Sequence, residues 1–369
     1  MRLFIDARYT RLGHHDGISR YTASLLEALQ ALQAEGHPQL PDTFDLAMLI
    51  SDPRQLANLP QLPYYQISSP TSALEPRVCQ LINRYQPDLV FSPMQTIGLG
   101  GLGRNFKLIL TLHDLIYYRH PTPPGFLPLP IRLGWRAFHQ TYWPQRYLLN
   151  RADAVATVSQ TTAGLIQAQQ LTDRPLLLVP NAPAQQLTTS SLQPASERTS
   201  RGLLYMGSFM PYKRVETLIQ AMKFLPAYRL HLLSKAAPAR LAELQAIAGE
   251  SVIFHQGVSE ADYRQLLSTS AALLTASLDE GYGLPVVEAQ AAGCPVILSD
   301  IPIFREIAPS GLFASPDSAF SFAQAVLSLE DPQVRQTAIE GGLKDIRRFS
   351  WRQSALSLLA GAQQVLDQD

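Results

Sequence analysis

Short apolar runs recur along the chain, each followed by a polar or glycine-bearing turn. Residues 3–5, 44–50, 88–91, 108–112, 154–158 and 176–179 read as strands in the first half. Residues 203–206, 230–233, 252–255, 271–276 and 295–298 read the same way in the second. Helical spacing separates several of them. Ile18, Tyr21, Leu25 and Leu29 fall close to a 3.6-residue period, as do Val215, Leu218, Ile219 and Met222. Nearly continuous apolar strands alternating with helices predict parallel sheets covered on both faces. Ligands of such sheets bind beyond the carboxyl ends of the strands.

Two stretches break the alternation. Residues 121–130 are proline-rich and predict no regular element. Residues 184–201 are rich in Gln, Ser and Thr and read as a linker or surface loop. The chain of 369 residues exceeds one ordinary core, so two domains are expected. Their bounds are 1–183 and 202–348, with the linker 184–201 between them and a last helical stretch at 349–369. Composition is that of a globular protein, 46% hydrophobic and 16% charged. A net charge of zero gives no global nucleic-acid footprint. The two cysteines, Cys79 and Cys294, lie far apart in apolar surroundings, which argues against a disulfide framework or a zinc cluster. The first residues make a strand rather than a signal peptide, and no apolar run reaches membrane-spanning length. The expected location is cytoplasmic. No repeat of solenoid length is present.

The densest chemistry lies in residues 277–289, Ser-Leu-Asp-Glu-Gly-Tyr-Gly-Leu-Pro-Val-Val-Glu-Ala. An apolar run precedes it, and a helix ending at Gly293 follows, so the order is strand, glycine loop, short helix, strand. Pro285 suits a helix start and Gly293 a helix end. The amides of Gly281, Tyr282, Gly283 and Leu284 then point from a positively polarised helix start, a seat for an anion. Glu280 stands at its mouth and Glu288 one turn into the helix. An anion with hydroxyls on both sides, such as a nucleotide diphosphate sugar, would engage both carboxylates. A capping loop with two solvated acids explains the glycines and the proline but not both acids.

This stretch resembles the Glu-x7-Glu motif of retaining glycosyltransferases of the GT-B type, in the family 4 group that includes bacterial mannosyl- and glucosyltransferases. The resemblance implies an α/β fold of two facing Rossmann-like, doubly wound parallel-sheet domains, with a C-terminal helix crossing back to the first. It implies an active site in the cleft, acceptor binding by the N-terminal half and donor binding by the C-terminal half. The first Glu would contact hydroxyls of the donor sugar, the second the ribose, and the loop amides donor oxygens.

Other positions fit the same pattern. Gly17-Ile-Ser-Arg-Tyr opens a helix after the first strand, with Asp16 as N-cap. It resembles a Gly-Ile-Gly-Arg-Tyr segment of the family, and departs from it at Ser19, which narrows a phosphate role to Gly17; a plain helix cap is the alternative. His113-Asp114 follows a strand, and the resemblance puts the His close to the reacting sugar; a structural His paired with its neighbour is the alternative. Ser159 follows the next strand. Pro180-Asn-Ala-Pro resembles the close of the first domain, where Asn-Gly is usual. Gly207, Lys213 and Arg214 lie in a loop before a helix, where charge, dipole and amides converge on a phosphate. Ser208 stands where many members carry Arg, so Lys213 and Arg214 must supply the charge. Residues 257–262 resemble the loop near the nucleotide base. The expected catalytic set is His113, Lys213 and Glu280. No Asp-x-Asp stands at a strand end, so neither metal nor other cofactor is expected.

Residues 131–151 carry Arg132, Arg136, Arg146 and Arg151 with no acid, among Leu133, Trp135, Phe138, Tyr142 and Trp143. Pro144 limits them to two helical pieces. They read either as a basic aromatic face on an anionic membrane or as a core helix with solvated arginines. The expected reaction moves a hexose, mannose favoured, from GDP-mannose or a UDP-sugar to a glycan or lipid-linked acceptor with retention. A non-catalytic nucleotide-sugar-binding protein, an inverting transferase and a nucleotide-sugar epimerase are the alternatives, because fold alone does not fix chemistry.

Overall fold

The computed structural model describes residues 1–13, 16–123, 129–184 and 201–368. Most of the expected linker, 184–201, therefore lies outside the described residues. The chain divides into two compact units, Met1–Asn181 with Ser350–Asp369, and Ala182–Phe349.

In the first unit seven strands form one sheet. They are β1 (Arg2–Asp6), β2 (Asp45–Ile50), β3 (Tyr64–Gln66), β4 (Leu89–Ser92), β5 (Lys107–Leu112), β6 (Ala154–Thr157) and β7 (Leu176–Leu178). All pairings are parallel, in the order β3-β2-β1-β4-β5-β6-β7. Leu3 sits between Leu46 and Leu89, so the strand order reverses direction at β1. The helices are α1 (Gly17–Ala34), α2 (Val78–Ile82), α3 (Ile116–Arg119), α4 (Leu129–Phe138), α5 (Trp143–Leu149) and α6 (Gln160–Ala168). Helix α1 starts because Asp16 accepts a hydrogen bond from the Ser19 N–H, and it buries Leu25, Leu26, Leu29 and Leu32. Phe4, Val90, Leu108, Leu110, Val155 and Ile166 belong to the core of this unit.

The second unit repeats the design. Strands β8 (Gly202–Tyr205), β9 (Arg229–Leu232), β10 (Val252–Phe254), β11 (Ala272–Thr275), β12 (Val296–Ser299) and β13 (Leu312–Ala314) pair in parallel, in the order β10-β9-β8-β11-β12-β13. The helices are α7 (Val215–Ala221), α8 (Pro238–Ile247), α9 (Glu260–Thr269), α10 (Leu284–Ala291), α11 (Pro302–Ile307), α12 (Ala319–Ser328) and α13 (Pro332–Ile346). Leu203 lies between Leu230 and Ala272, so this sheet reverses at β8. The loops after β8 and β11 thus emerge side by side at the switch point, where open α/β sheets hold ligands.

The last helix, α14 (Trp351–Leu366), packs on α1 and β7 of the first unit. Ser350 caps it, the Ser354 hydroxyl donates to the Pro180 carbonyl at 2.7 Å, and Arg352 pairs with Glu35. Gly361 lets α14 sit close on β7: a Cβ there would come within 2.4 Å of a Leu177 methyl, which would have to move. No helix among the described residues is long and apolar enough to cross a membrane.

Candidate active site

The loop after β11 is held at both ends. The Leu278 N–H donates to the Tyr212 carbonyl at 2.8 Å, which pins it to the loop after β8. The Ser299 hydroxyl, at the end of β12, donates to the Ser277 carbonyl. Gly283 caps α10 in a left-handed conformation (φ +100°), and a Cβ there would approach Phe304 to 3.0 Å. Only glycine combines that backbone with that contact. Pro285 lies in the first turn of α10, and Gly293 (φ +64°) lies one residue beyond its C-cap, Ala292.

These constraints place Glu280 beside Lys213. The Lys213 ammonium donates to Glu280 Oε1 at 2.5 Å, and the Ser277 hydroxyl donates to the same oxygen at 2.8 Å. Both charged side chains are largely buried. The Lys213 ammonium also lies 5.2 Å from the centre of the Tyr212 ring. Glu288, one turn into α10, is 3% exposed and accepts a hydrogen bond from the Tyr263 hydroxyl at 3.0 Å. A bond of this charge-assisted kind contributes about 1.5–3 kcal/mol. Gly281 and Tyr282 are buried between the two acids, and the Tyr282 ring meets Phe349 edge-on at 5.8 Å.

The loop after β8 supplies the rest of this half. The Gly207 N–H donates to Ser234 Oγ at 3.1 Å, and a Cβ on Gly207 would lie 3.0 Å from the Tyr205 hydroxyl. Lys213 ends a short turn, and Arg214 follows in the left-handed region (φ +49°) as the N-cap of α7. The Arg214 guanidinium pairs with Asp317 at the surface, whereas Lys213 turns to Glu280. Of the two cations expected in this loop, only Lys213 joins the carboxylates.

In the first unit, His113 directly follows β5. Its Nε2 lies 2.8 Å from the Pro93 carbonyl, and its ring meets Tyr21 edge-on. Burial lowers its pKa, with the Pro93 bond working the other way. A carbonyl can only accept, so Nε2 carries the proton and Nδ1 keeps the lone pair. Gly17 is exposed at the start of α1. Ser19, the departure from Gly, is buried and donates its hydroxyl to Asp16 at 2.7 Å while accepting from the Arg11 N–H. Its side chain is spent on the cap. Ser159 likewise caps α6. At the end of β1, Arg8 is buried between Asp6 and Glu75, with contacts of 2.8 and 2.6 Å. Burial opposes its charge, but the two acids hold its pKa above the ordinary value. Glu75 in turn accepts from the Gly98 N–H, so this ion triad ties three loops together.

Sequence reasoning missed several partners. Ser277 sits three residues before Glu280 and was within reach of a local reading. Tyr263, Ser234 and Pro93 were not, because the sheet order alone brings them to Glu288, Gly207 and His113. A separate concavity, lined by Asp88, Arg104, Lys107 and Arg151, lies at the amino ends of β4 and β5. It is at the end of the sheet opposite His113 and takes no part in this site. Among the described residues no group of three or more His, Cys, Asp or Glu is placed to hold a metal ion.

Residues 16–182 match the glycosyl transferase 4-like domain, and residues 190–345 match the glycosyl transferases group 1 model. The chain is 32% identical over 133 residues to the O-antigen chain mannosyltransferase RfbU of Salmonella typhimurium, a match covering 34% of this chain and 38% of that protein. It is 29% identical over 275 residues to the O-antigen chain mannosyltransferase B of Escherichia coli, covering 66% and 67%. The fold is similar to that of Anabaena HepE, solved with UDP and glucose, at a TM-score of 0.71 and 16% identity over 98% of this chain and 99% of that one. With both halves matched and two Rossmann-like parallel sheets in the same order, the chain belongs to the group 1, family 4-like glycosyltransferases of GT-B fold.

Proposed function

We propose that the protein is a retaining hexosyltransferase that moves mannose from a nucleotide diphosphate sugar to a hydroxyl of a glycan or lipid-linked acceptor. The observation that carries this is the placement of Lys213, Glu280 and Glu288 around the glycine loop that opens α10. The Lys213 ammonium and the amides of Gly281 to Leu284 would take the charge of the diphosphate, with no metal ion required. Lys213 and Ser277 both bond Glu280 Oε1, and Oε2 is the oxygen a sugar hydroxyl would meet. Glu288, fixed by Tyr263, would take the ribose. Gly207 would lie against the phosphates, and Gly17 is the corresponding candidate on the first domain. Arg214, turned to Asp317, would act through the long-range field only.

The bond from C1 to the phosphate oxygen breaks as the acceptor oxygen bonds C1 on the same face. The acceptor proton passes to the leaving phosphate. The protein then supplies position and charge rather than a strong base. His113 would offer its Nδ1 lone pair to a hydroxyl of the reacting sugar. Mannose is favoured because both O-antigen relatives are named for it. GDP-mannose is therefore the first donor to test, with a UDP-sugar as the comparison, since HepE was solved with UDP and glucose. The proposal includes a cytoplasmic site of action, peripheral to the inner face of the membrane.

The test is transfer of labelled sugar from GDP-mannose, UDP-glucose and ADP-glucose, with the product anomer read by NMR and the assay repeated in EDTA. Retention without loss in EDTA is expected. An inverted anomer refutes the retaining step. Loss in EDTA restored by magnesium refutes the metal-free phosphate site. Donor binding without transfer or hydrolysis, across a panel of glycan and lipid-linked acceptors, would leave a nucleotide-sugar-binding protein.

A further inference from the structure

Two buried hydroxyls stand behind Glu280. Thr275 closes β11, in register with Leu298, and Ser277 lies two residues further on. In extended chain that spacing puts both side chains on one side. Their oxygens are 3.0 Å apart; Thr275 is 7% exposed and Ser277 is fully buried. The backbone around them is held from both flanks. The Ser277 carbonyl accepts from the Ser299 hydroxyl at the end of β12, and the Leu278 N–H donates to the Tyr212 carbonyl. A hydroxyl buried in this way costs free energy unless it is hydrogen-bonded. Leu273, Leu274 and Ala276 beside them are apolar and buried, so packing alone does not call for hydroxyls here.

The direction of these bonds follows from what each group can do. An ionised carboxylate only accepts, so Ser277 spends its one proton on Glu280 Oε1, at 2.8 Å. Ser277 can then only accept from Thr275, whose proton lies along the 3.0 Å contact. The three side chains form a one-way relay, from Thr275 to Ser277 to Glu280. The Lys213 ammonium meets the same Oε1 from the loop after β8, at 2.5 Å. Two donors on one oxygen fix the rotation of the carboxylate and leave Oε2 to a ligand. Lys213 carries its charge on a flexible four-carbon stem and can follow the carboxylate. Ser277, short and set on a pinned backbone, cannot. The hydroxyl therefore sets the angle of Glu280, and the ammonium supplies the charge.

We propose that Thr275 and Ser277 are positioning residues for sugar transfer, holding Glu280 so that Oε2 meets the sugar hydroxyl in the geometry the transition state needs, with Thr275 acting only through Ser277. This role rests on Glu280 being the sugar-facing carboxylate, as proposed above. Neither hydroxyl touches the donor. Their contribution falls on turnover rather than on nucleotide affinity, because the nucleoside diphosphate alone does not meet Oε2. Small displacements suffice, since a misplacement of about 1 Å near the reacting atoms can cost about a hundred-fold in rate.

The experiment uses the full chain and whichever of GDP-mannose and UDP-glucose the wild type turns over, counting labelled sugar transferred or hydrolysed. Calorimetry with the matching nucleoside diphosphate runs beside it. Ser277→Ala should lower kcat by about ten- to a hundred-fold, the equivalent of one charge-assisted hydrogen bond, and leave nucleoside diphosphate affinity nearly unchanged. Thr275→Val keeps the shape and removes the proton, so it should lower kcat by about two- to ten-fold, the equivalent of one neutral hydrogen bond. Thr275→Ser should restore it. In the double variant Thr275→Val should add nothing to Ser277→Ala. Thermal unfolding of each variant shows that the rates are compared between folded chains, and the Thr275 variants decide the matter if Ser277→Ala does not fold. Unchanged kcat in a folded Ser277→Ala chain overturns the proposal. So does an equal fall in nucleoside diphosphate affinity, which would make the hydroxyls a support of the loop as a whole. Additive effects in the double variant, or a Thr275→Ser chain no faster than Thr275→Val, overturn the relay. A wild type that turns over neither donor removes the reading of Glu280 itself, and this role with it.

Discussion

The Lys213 ammonium lies 2.5 Å from Glu280 Oε1, across 67 residues of sequence, in a largely buried setting. The pair exists because β8 and β11 are neighbours in the sheet and deliver their loops together. Removing either member leaves the other charge short of a partner, which costs more than the pair is worth. The single changes Lys213→Met and Glu280→Gln should therefore be non-additive, with a coupling of about 0.5–3 kcal/mol in a double-mutant cycle on urea unfolding. Strict additivity would mean that the two side chains do not interact in solution.

Gly283 should tolerate no side chain. Its left-handed backbone and the 3.0 Å approach of Phe304 act together. Gly283→Ala should cost about 1–3 kcal/mol and weaken nucleotide diphosphate binding, because the amides around it would turn. Gly249→Ala is the control, since a Cβ there meets nothing within 4 Å. Thermal unfolding and calorimetry of both variants decide it. Equal stability of the two would show that the loop relaxes at no cost.

His113 predicts a pH dependence. Burial holds its folded-state pKa below the ordinary value of about 6.5, and the Pro93 bond only partly offsets that. Between the two values the unfolded chain binds a proton that the folded chain does not. Stability is then full above pH 6.5 and falls as pH drops through that window. His139 and His231 shift the same way, each chiefly by burial. Urea unfolding at pH 7.5 and 5.5 should show the loss, and His113→Gln should reduce it. An unchanged pH dependence in that variant would remove His113 as a source.

Much of this was legible from periodicity. The apolar runs that begin β1, β5, β8 and β11 are long and continuous enough to specify buried parallel strands. Strand β3 was not legible, because Tyr64–Gln66 is three residues long, follows Pro63 and lies at the sheet edge. The glycine loop with its two acids was legible because capping, dipole and charge converge within thirteen residues. The Tyr263–Glu288 and Gly207–Ser234 contacts were not, because packing on the sheet makes them. Arg214, itself in the left-handed region, pairs with Asp317 at the surface while its neighbour Lys213 turns to Glu280, a divergence that charge and spacing do not encode. Residues 131–151 gave two readings; α4 buries none of its residues, whereas α5 buries Gln145 and Leu149, so the segment is not one continuous core helix.

Gln145 is buried in α5, and neither atom of its amide has a hydrogen-bond partner in the protein. An unpaired buried amide costs about 1–3 kcal/mol. Gln145→Leu, of similar volume, should therefore raise the unfolding midpoint of the first unit, about 200 residues, by about 2–4 °C for each kcal/mol recovered where that unit unfolds as one transition. A lower midpoint would mean that an ordered water satisfies the amide, and that leucine displaces it.

The two glutamates should fail differently. Glu280 stands at the mouth of the loop, bonded to Lys213 and Ser277, where the transferred sugar would sit. Glu288 lies one turn into α10, fixed by Tyr263, where the ribose would sit. A charge-assisted bond to a hydroxyl contributes about 1.5–3 kcal/mol in either place. What separates them is when that bond strengthens. The ribose does not change charge during transfer, so loss of the Glu288 bond should fall on the donor KM. The sugar becomes cationic as its bond to phosphate breaks, so the Glu280 bond should tighten in the transition state and its loss should fall on kcat. Glu288→Gln should weaken binding of the free nucleotide diphosphate by roughly ten-fold or more, the equivalent of the bond lost. Glu280→Gln should leave that affinity nearly unchanged while lowering turnover. Calorimetry with the nucleotide diphosphate alone reads the first difference without an acceptor, and steady-state kinetics with labelled donor reads the second. Equal weakening of nucleotide binding by both changes, or none by Glu288→Gln, would reverse or remove this assignment of the two carboxylates.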